Sequence, residues 1–248
     1  MNPHAYIESL LFALAAAAAN ILGSSIVTSQ KWATRSLRYF IAVGSGFMMG
    51  AIFLEMIPET LVLNSEKSVT SPAWPALILI GYLIVHFFEH TFTAHMHFGE
   101  ETHHEEMSPA VGFSALVGML VHTFFDGVTI GAGFLIDQRL GIVLFLAVFI
   151  HKIVDGFTIA SIVVTSGYSA SRAMGASVLL AIATLIGVVA VHVAGNANYA
   201  LPITAGCSLY VAATDLMPEV NREIGVKMAF LVFAGMGLFL LVSRIAHG

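Results

Sequence analysis

Charge is what this sequence has least of. Asp, Glu, Lys and Arg together make up 10% of its 248 residues, against about 25% in an ordinary soluble domain. A chain so poor in charge, 58% hydrophobic and with a mean hydropathy of +0.88, cannot cover its own surface with groups that water solvates. The same apolar excess excludes a disordered chain. Basic residues are scarcer than acidic ones, ten against fifteen, which excludes a nucleic-acid partner held through its phosphates. Cysteine is nearly absent. The single Cys207 excludes an intramolecular disulfide framework and a Cys-rich zinc module.

What is present is a succession of eight apolar runs, near 6–28, 38–60, 73–95, 109–134, 138–165, 171–194, 198–219 and 226–246. A membrane-crossing helix needs about 20 residues, so each run is read as one span. The first run is longer than the apolar stretch of a cleaved signal, about 7–15 residues, and is kept as a helix. Breakers stand between the runs or at their starts: Ser-Pro at 71–72 and 108–109, Gly195-Asn196 and, early in the seventh run, Leu201-Pro202. The fold expected is all-α, a polytopic membrane protein with eight transmembrane helices forming a single domain over 1–248. Lys31, Arg35, Arg38, Arg172, Arg222 and Lys227 fall in the loops on one side, and Lys67, Arg139 and Arg244 on the other. The positive-inside rule therefore puts both termini on the non-cytoplasmic side.

Two internal repeats organise these spans. Gly46–Glu59 (GFMMGAIFLEMIPE) and Gly206–Glu219 (GCSLYVAATDLMPE) share Gly46/Gly206, Glu55/Asp215, Pro58/Pro218 and Glu59/Glu219 at an offset of 160. They end spans 2 and 7, which run in opposite directions, as expected of an inverted repeat. His122–Phe134 (HTFFDGVTIGAGF) and His151–Ser161 (HKIVDGFTIAS) coincide at His122/His151, Asp126/Asp155, Gly127/Gly156, Thr129/Thr158 and Ile130/Ile159. These lie in consecutive spans, 4 and 5. The arrangement expected is 3+2+3: a first three-helix repeat (1–96), a His-rich loop (97–108), a central pair (109–165) and a second three-helix repeat (166–248).

The central pair carries the chemistry. Residues four apart share a helix face, so His122 joins Asp126 and His151 joins Asp155, each pair deep within its span. A carboxylate at that depth costs roughly 2.5–3.5 kcal/mol on the lenient insertion scale and calls for a cation. Two imidazoles and two carboxylates facing one another make an N2O2 set suited to a divalent transition metal such as zinc. The same groups could simply hydrogen-bond the two helices together, or three of them with a water could form a hydrolytic site.

These residues resemble the Zrt/Irt-like (ZIP) family of divalent metal transporters. The likeness covers the eight spans, the His-rich loop after span 3, the HxxxDG pattern of span 4, its span-5 counterpart and the LYVAxxDLxPE pattern of span 7. It implies metal bound by His122, Asp126, His151 and Asp155, net uptake toward the cytoplasm, a homodimer, and alternating access by sliding of two helix groups. The chain departs from the family where many members hold a second metal. Thr123 and Lys152 stand beside the two histidines, and span 6 has no carboxylate. A single ion is therefore expected. Lys152, the only cationic residue in the interior of a span, is read either as an electrostatic substitute for the second ion, paired with Asp155 when metal is absent, or as a lysine reaching into a water-filled vestibule.

The tract from His86 to Glu106 contains six histidines, namely His86, His90, His95, His97, His103 and His104, and five carboxylates, Glu89 included, with no Lys or Arg. It reads as a cytoplasmic receiving site or metal sensor, or as a solvated loop. Glu55 and Glu59 lie toward the external mouth, and Asp215 and Glu219 toward the cytoplasmic one, where they suit capture and release of a cation or simply helix ends. Three functions follow: an uptake carrier for Zn²⁺, or for Fe²⁺, Mn²⁺, Co²⁺ or Cd²⁺, as substrate, with no catalytic cofactor; a membrane-embedded zinc-dependent hydrolase; or a metal-responsive sensor. The compact loops suit a bacterial inner membrane.

Overall fold

The structure, a computed structural model, describes residues 3–28, 34–65, 73–92, 109–221 and 225–247. All eight expected runs are helical over their described residues, among which no strand occurs. Span 1 is α1 (Pro3–Thr28). Span 2 is α2 (Thr34–Ala51) and α3 (Ile57–Ser65) joined by a π-helical turn, Ile52–Met56. Span 3 is α4 (Ala73–Phe92), span 4 α5 (Pro109–Ile136), span 5 α6 (Gln138–Thr165) and span 6 α7 (Ala170–Ala194). Span 7 is α8 (Ala197–Val211) and α9 (Met217–Asn221) joined by a second π turn, Ala212–Leu216, and span 8 is α10 (Val226–His247).

The protein is an all-α polytopic membrane protein. Seven helical stretches are long and apolar enough to cross a bilayer. The exception is span 7. Its Asn198, Thr204, Ser208, Thr214 and Asp215 lower its hydropathy, but Leu201, Thr204, Ala205, Cys207, Tyr210 and Val211 are buried among the other helices. A helix wrapped in protein meets little lipid and needs less apolar surface.

The two π turns stand at the same place in the aligned segments, 160 residues apart. In each the N–H five residues on closes the ring, Ile57 to the Ile52 carbonyl and Met217 to the Ala212 carbonyl, and a proline follows, Pro58 or Pro218. A proline ring collides with the carbonyl four residues back, and widening the preceding turn relieves that crowding. Glu55 and Asp215 each fall inside a widened turn.

Helices meet through reciprocal glycines. A Cβ on Gly23 would strike the Ile153 carbonyl and one on Gly156 the Asn20 carbonyl, joining spans 1 and 5. Gly127 and Gly187 do the same for spans 4 and 6, Gly46 and Gly235 for spans 2 and 8, and Gly81 and Gly206 for spans 3 and 7. Small residues allow this backbone approach, with Cα–H groups set against carbonyls. Exchanging span 1 with 6, 2 with 7, 3 with 8 and 4 with 5 carries this set of contacts onto itself. The result is a group of spans 1, 4, 5 and 6, in which Ala13, Ala16, Ile130, Phe134, Phe145 and Val188 pack together, beside the pairs 2/8 and 3/7. A second core, including Met48, Val85, Leu144, Val154, Leu201 and Leu216, lies between the two sets.

Candidate metal centre

Spans 4 and 5 form a hairpin closed by one residue. Asp137 is extended and caps span 5, its carboxylate accepting from the backbone N–H of Arg139 at 2.8 Å and of Leu140 at 3.4 Å. His122 stands fifteen residues before Asp137 and His151 fourteen after it, so the two imidazoles lie level in antiparallel helices. Their ring centroids are 5.6 Å apart.

The duplicated pairs converge. His122, Asp126, His151 and Asp155 are all buried, and each offers one ligand atom within 4.8 Å of the others. His122 Nε2 lies 3.2 Å from Asp126 Oδ2 and 3.5 Å from Asp155 Oδ2, and His151 Nε2 lies 3.4 Å from Asp126 Oδ1. None of these approaches has hydrogen-bond alignment: His122 Nε2, His151 Nε2 and Asp155 Oδ1 have no hydrogen-bond partner. On His151, Nδ1 lies 2.8 Å from the Ala147 carbonyl, which can only accept. The proton therefore sits on Nδ1, and Nε2 turns its lone pair inward, the tautomer that a metal ligand requires. Four buried donor atoms of mixed N and O type around one point suit a divalent transition metal.

Lys152 is drawn into the same space. Its ammonium is fully buried, 2.5 Å from Asp126 Oδ2 and 3.0 Å from Asp155 Oδ2, and it donates to Thr123 Oγ1 at 3.1 Å. The expected pairing with Asp155 is present, and Asp126 of the neighbouring span shares the cation. With neutral imidazoles the set carries two negative charges and one positive, and it favours cations without needing a second metal for neutrality.

Residues 99–243, more than half of the chain, match the family described as ZIP zinc transporter. The chain belongs to the ZIP zinc transporter family. Zinc transporter SLC39A7 of Homo sapiens is 33% identical over 149 residues, 55% of this chain and 32% of that protein. Zinc transporter zipt-7.2 of Caenorhabditis elegans is 29% identical over 152 residues, 56% and 33% of the two chains. Zinc transporter foi of Drosophila melanogaster is 28% identical over 147 residues, 56% and 21%. The aligned part thus spans a third or less of these curated relatives' length.

The remaining candidate residues of this ZIP chain are not gathered with the four. Glu55 is half-buried and accepts a hydrogen bond from Ser243 Oγ of span 8 at 3.1 Å, while Glu59 is half-buried one turn further on. Asp215 accepts from Thr214 Oγ1 at 3.1 Å. His86 and His90 stack with ring centroids 4.0 Å apart, and His86 meets the ring of Tyr210 at 5.8 Å, so the end of span 3 rests on span 7. Glu89 faces the same tyrosine. His95, His97, His103 and His104, with the whole 97–108 loop, lie outside the described residues, as does the side chain of Glu219.

Sequence reasoning missed two polar seams of the four-span group. Asn20 Nδ2 donates to the Ser177 carbonyl at 3.2 Å, and Ser24 Oγ donates to the Gly156 carbonyl at 2.7 Å while touching Ser177 Oγ. His192, near the end of span 6, is buried. Its Nδ1 donates to the Val188 carbonyl at 3.0 Å, Nε2 lies 3.4 Å from Ser9 Oγ, and Tyr6 meets its ring edge-on. The signal for Asn20 was a lone amide closing an alanine run.

Proposed function

We propose that this chain is a carrier that moves a divalent transition-metal ion, zinc foremost, across a membrane toward the cytoplasm. The observation that carries this reading is the convergence of two duplicated, buried His–Asp pairs from antiparallel helices on one point. Zinc is the ion named for the relatives. His122, Asp126, His151 and Asp155 are the proposed ligands of the ion in transit, with Glu55 and Glu59 at the external mouth. His86, Glu89, His90, Asp215, Glu219 and the loop histidines His95, His97, His103 and His104 receive it on the cytoplasmic side.

In this reading the eight spans are two inverted three-helix repeats around the central pair. The matching π turns and the glycine contacts that exchange between spans support it. Alternating access follows from sliding of the group of spans 1, 4, 5 and 6 against spans 2, 3, 7 and 8, in a homodimer of the bacterial inner membrane with both termini outside the cytoplasm.

Uptake of radioactive Zn²⁺, Fe²⁺, Mn²⁺, Co²⁺ and Cd²⁺ into proteoliposomes tests the function. Zinc influx above that of protein-free vesicles is expected. Folded protein that moves none of the ions, or that turns over lipid or peptide in a metal-dependent way without flux, overturns it.

A second expectation concerns Lys152, proposed as the fixed substitute for a second ion. Lys152→Asp removes the ammonium that repels another dication and adds a third carboxylate beside Asp126 and Asp155. Bound zinc, measured by elemental analysis of the purified protein, should rise from one ion per chain to two. An unchanged single ion would remove this role from Lys152.

A further inference from the structure

At one end of the bundle the ends of spans 4, 5 and 6 enclose a cavity of about 370 Å³, within the roughly 300–1,000 Å³ range of small-molecule sites. Its walls are apolar: Gly112, Phe113 and Leu116 of span 4, Val163 of span 5, and Gly175 and Leu179 of span 6. Phe113 and Leu179 are 67% and 47% exposed, so in a bilayer the cavity opens onto acyl chains. A Cβ added at Gly175 would meet nothing within 4 Å, which marks an open wall.

The mouth is cationic. The guanidinium of Arg172 lines it, 5.1 Å from the ring centre of Tyr168, and has no carboxylate partner among the described residues. Arg172 also sits in the first turn of α7, capped by Ser169, and no acidic residue shares that turn. A helix N-terminus carries partial positive charge and favours anions. An arginine there is at the wrong end of the dipole unless an anion answers both charges. Beside Gly112, Ser166 Oγ is buried with no hydrogen-bond partner.

We propose that this cavity binds an anionic glycerophospholipid, its phosphate on the Arg172 guanidinium at the membrane boundary and one acyl chain between spans 4, 5 and 6. An arginine fork matches phosphate oxygens, and the location puts headgroup and chain where a bilayer supplies them. A free phosphate ion would account for the charge but would leave the apolar wall without an occupant. The inference rests on the chain being membrane-embedded and not on the carrier reading.

Native mass spectrometry of the full-length protein, titrated with phosphatidylglycerol or phosphatidylcholine, tests it. Wild type should retain one phosphatidylglycerol per chain in preference to phosphatidylcholine. Arg172→Gln should weaken phosphatidylglycerol retention by about fivefold and leave phosphatidylcholine unchanged, while Arg172→Lys should keep most of the preference. Gly175→Leu should fill the groove and remove retention of both lipids. Melting temperatures close to wild type establish that the variants are folded, and should Gly175→Leu not fold, the Arg172 pair decides alone. Equal phosphatidylglycerol retention in wild type and Arg172→Gln overturns the proposal. So does displacement of the lipid by millimolar inorganic phosphate, which makes the mouth an anion site, or a change of oligomeric state in Gly175→Leu, which makes the groove a contact between copies.

Discussion

Asp155→Ala should abolish metal uptake. Removing an outer group that merely orients a metal ligand costs about 10–100-fold, so loss of a proposed ligand itself should lower zinc influx into proteoliposomes by at least about 100-fold, or about 2.7 kcal/mol. Two effects add. The four-ligand set becomes three, and Lys152 is left facing Asp126 alone, so the pocket loses its net negative charge as well as a donor. Asp126→Ala should behave alike, because the same cation bridges both carboxylates. The double variant should be little worse than either single one, since groups that act as one unit are not additive. Both single variants retaining wild-type influx and zinc content would remove the metal site from these residues.

Gly156→Leu should yield no folded protein. The position follows Asp155, and a side chain there meets the Asn20 carbonyl and side chain of span 1. Overpacking a core costs about 1–3 kcal/mol where neighbouring side chains can shift. Here the obstacle is backbone, so the whole helix would have to move. That displacement would break the Ser24 hydrogen bond to Gly156 and the Asn20–Ser177 seam together. Gly237 of span 8, where an added Cβ meets nothing within 4 Å, is the control. Size-exclusion chromatography in mild detergent should show Gly237→Leu as a monodisperse peak and Gly156→Leu as aggregate. A Gly156→Leu peak matching wild type would mean that spans 1 and 5 do not meet there.

The span count and the paired histidines and aspartates were legible in the sequence because hydropathy and the four-residue helical spacing are local properties. Gly127 and Gly156 could be aligned but not partnered. That they face spans 6 and 1 rather than each other depends on which helices are neighbours, and no local pattern carries that. Lys152 was assigned one carboxylate through its three-residue spacing to Asp155. Its second, Asp126, lies across the helix pair. Pro58 and Pro218 could be aligned at the ends of spans 2 and 7, but the widened turns before them are a backbone response to the proline rings, without a residue pattern of their own. Ser243 reaches Glu55 across 188 positions, and the lipid-facing groove arises only where three span ends come together.

The one-residue link at Asp137 has a mechanical consequence. A single residue reaches at most about 3.6 Å, so the two helices holding the proposed metal ligands have almost no slack to slip lengthwise past one another. In the carrier proposed above, the hairpin would therefore move as one stiff cassette. The four proposed ligands would then travel together, and the ion would leave them only for the groups proposed at the two mouths.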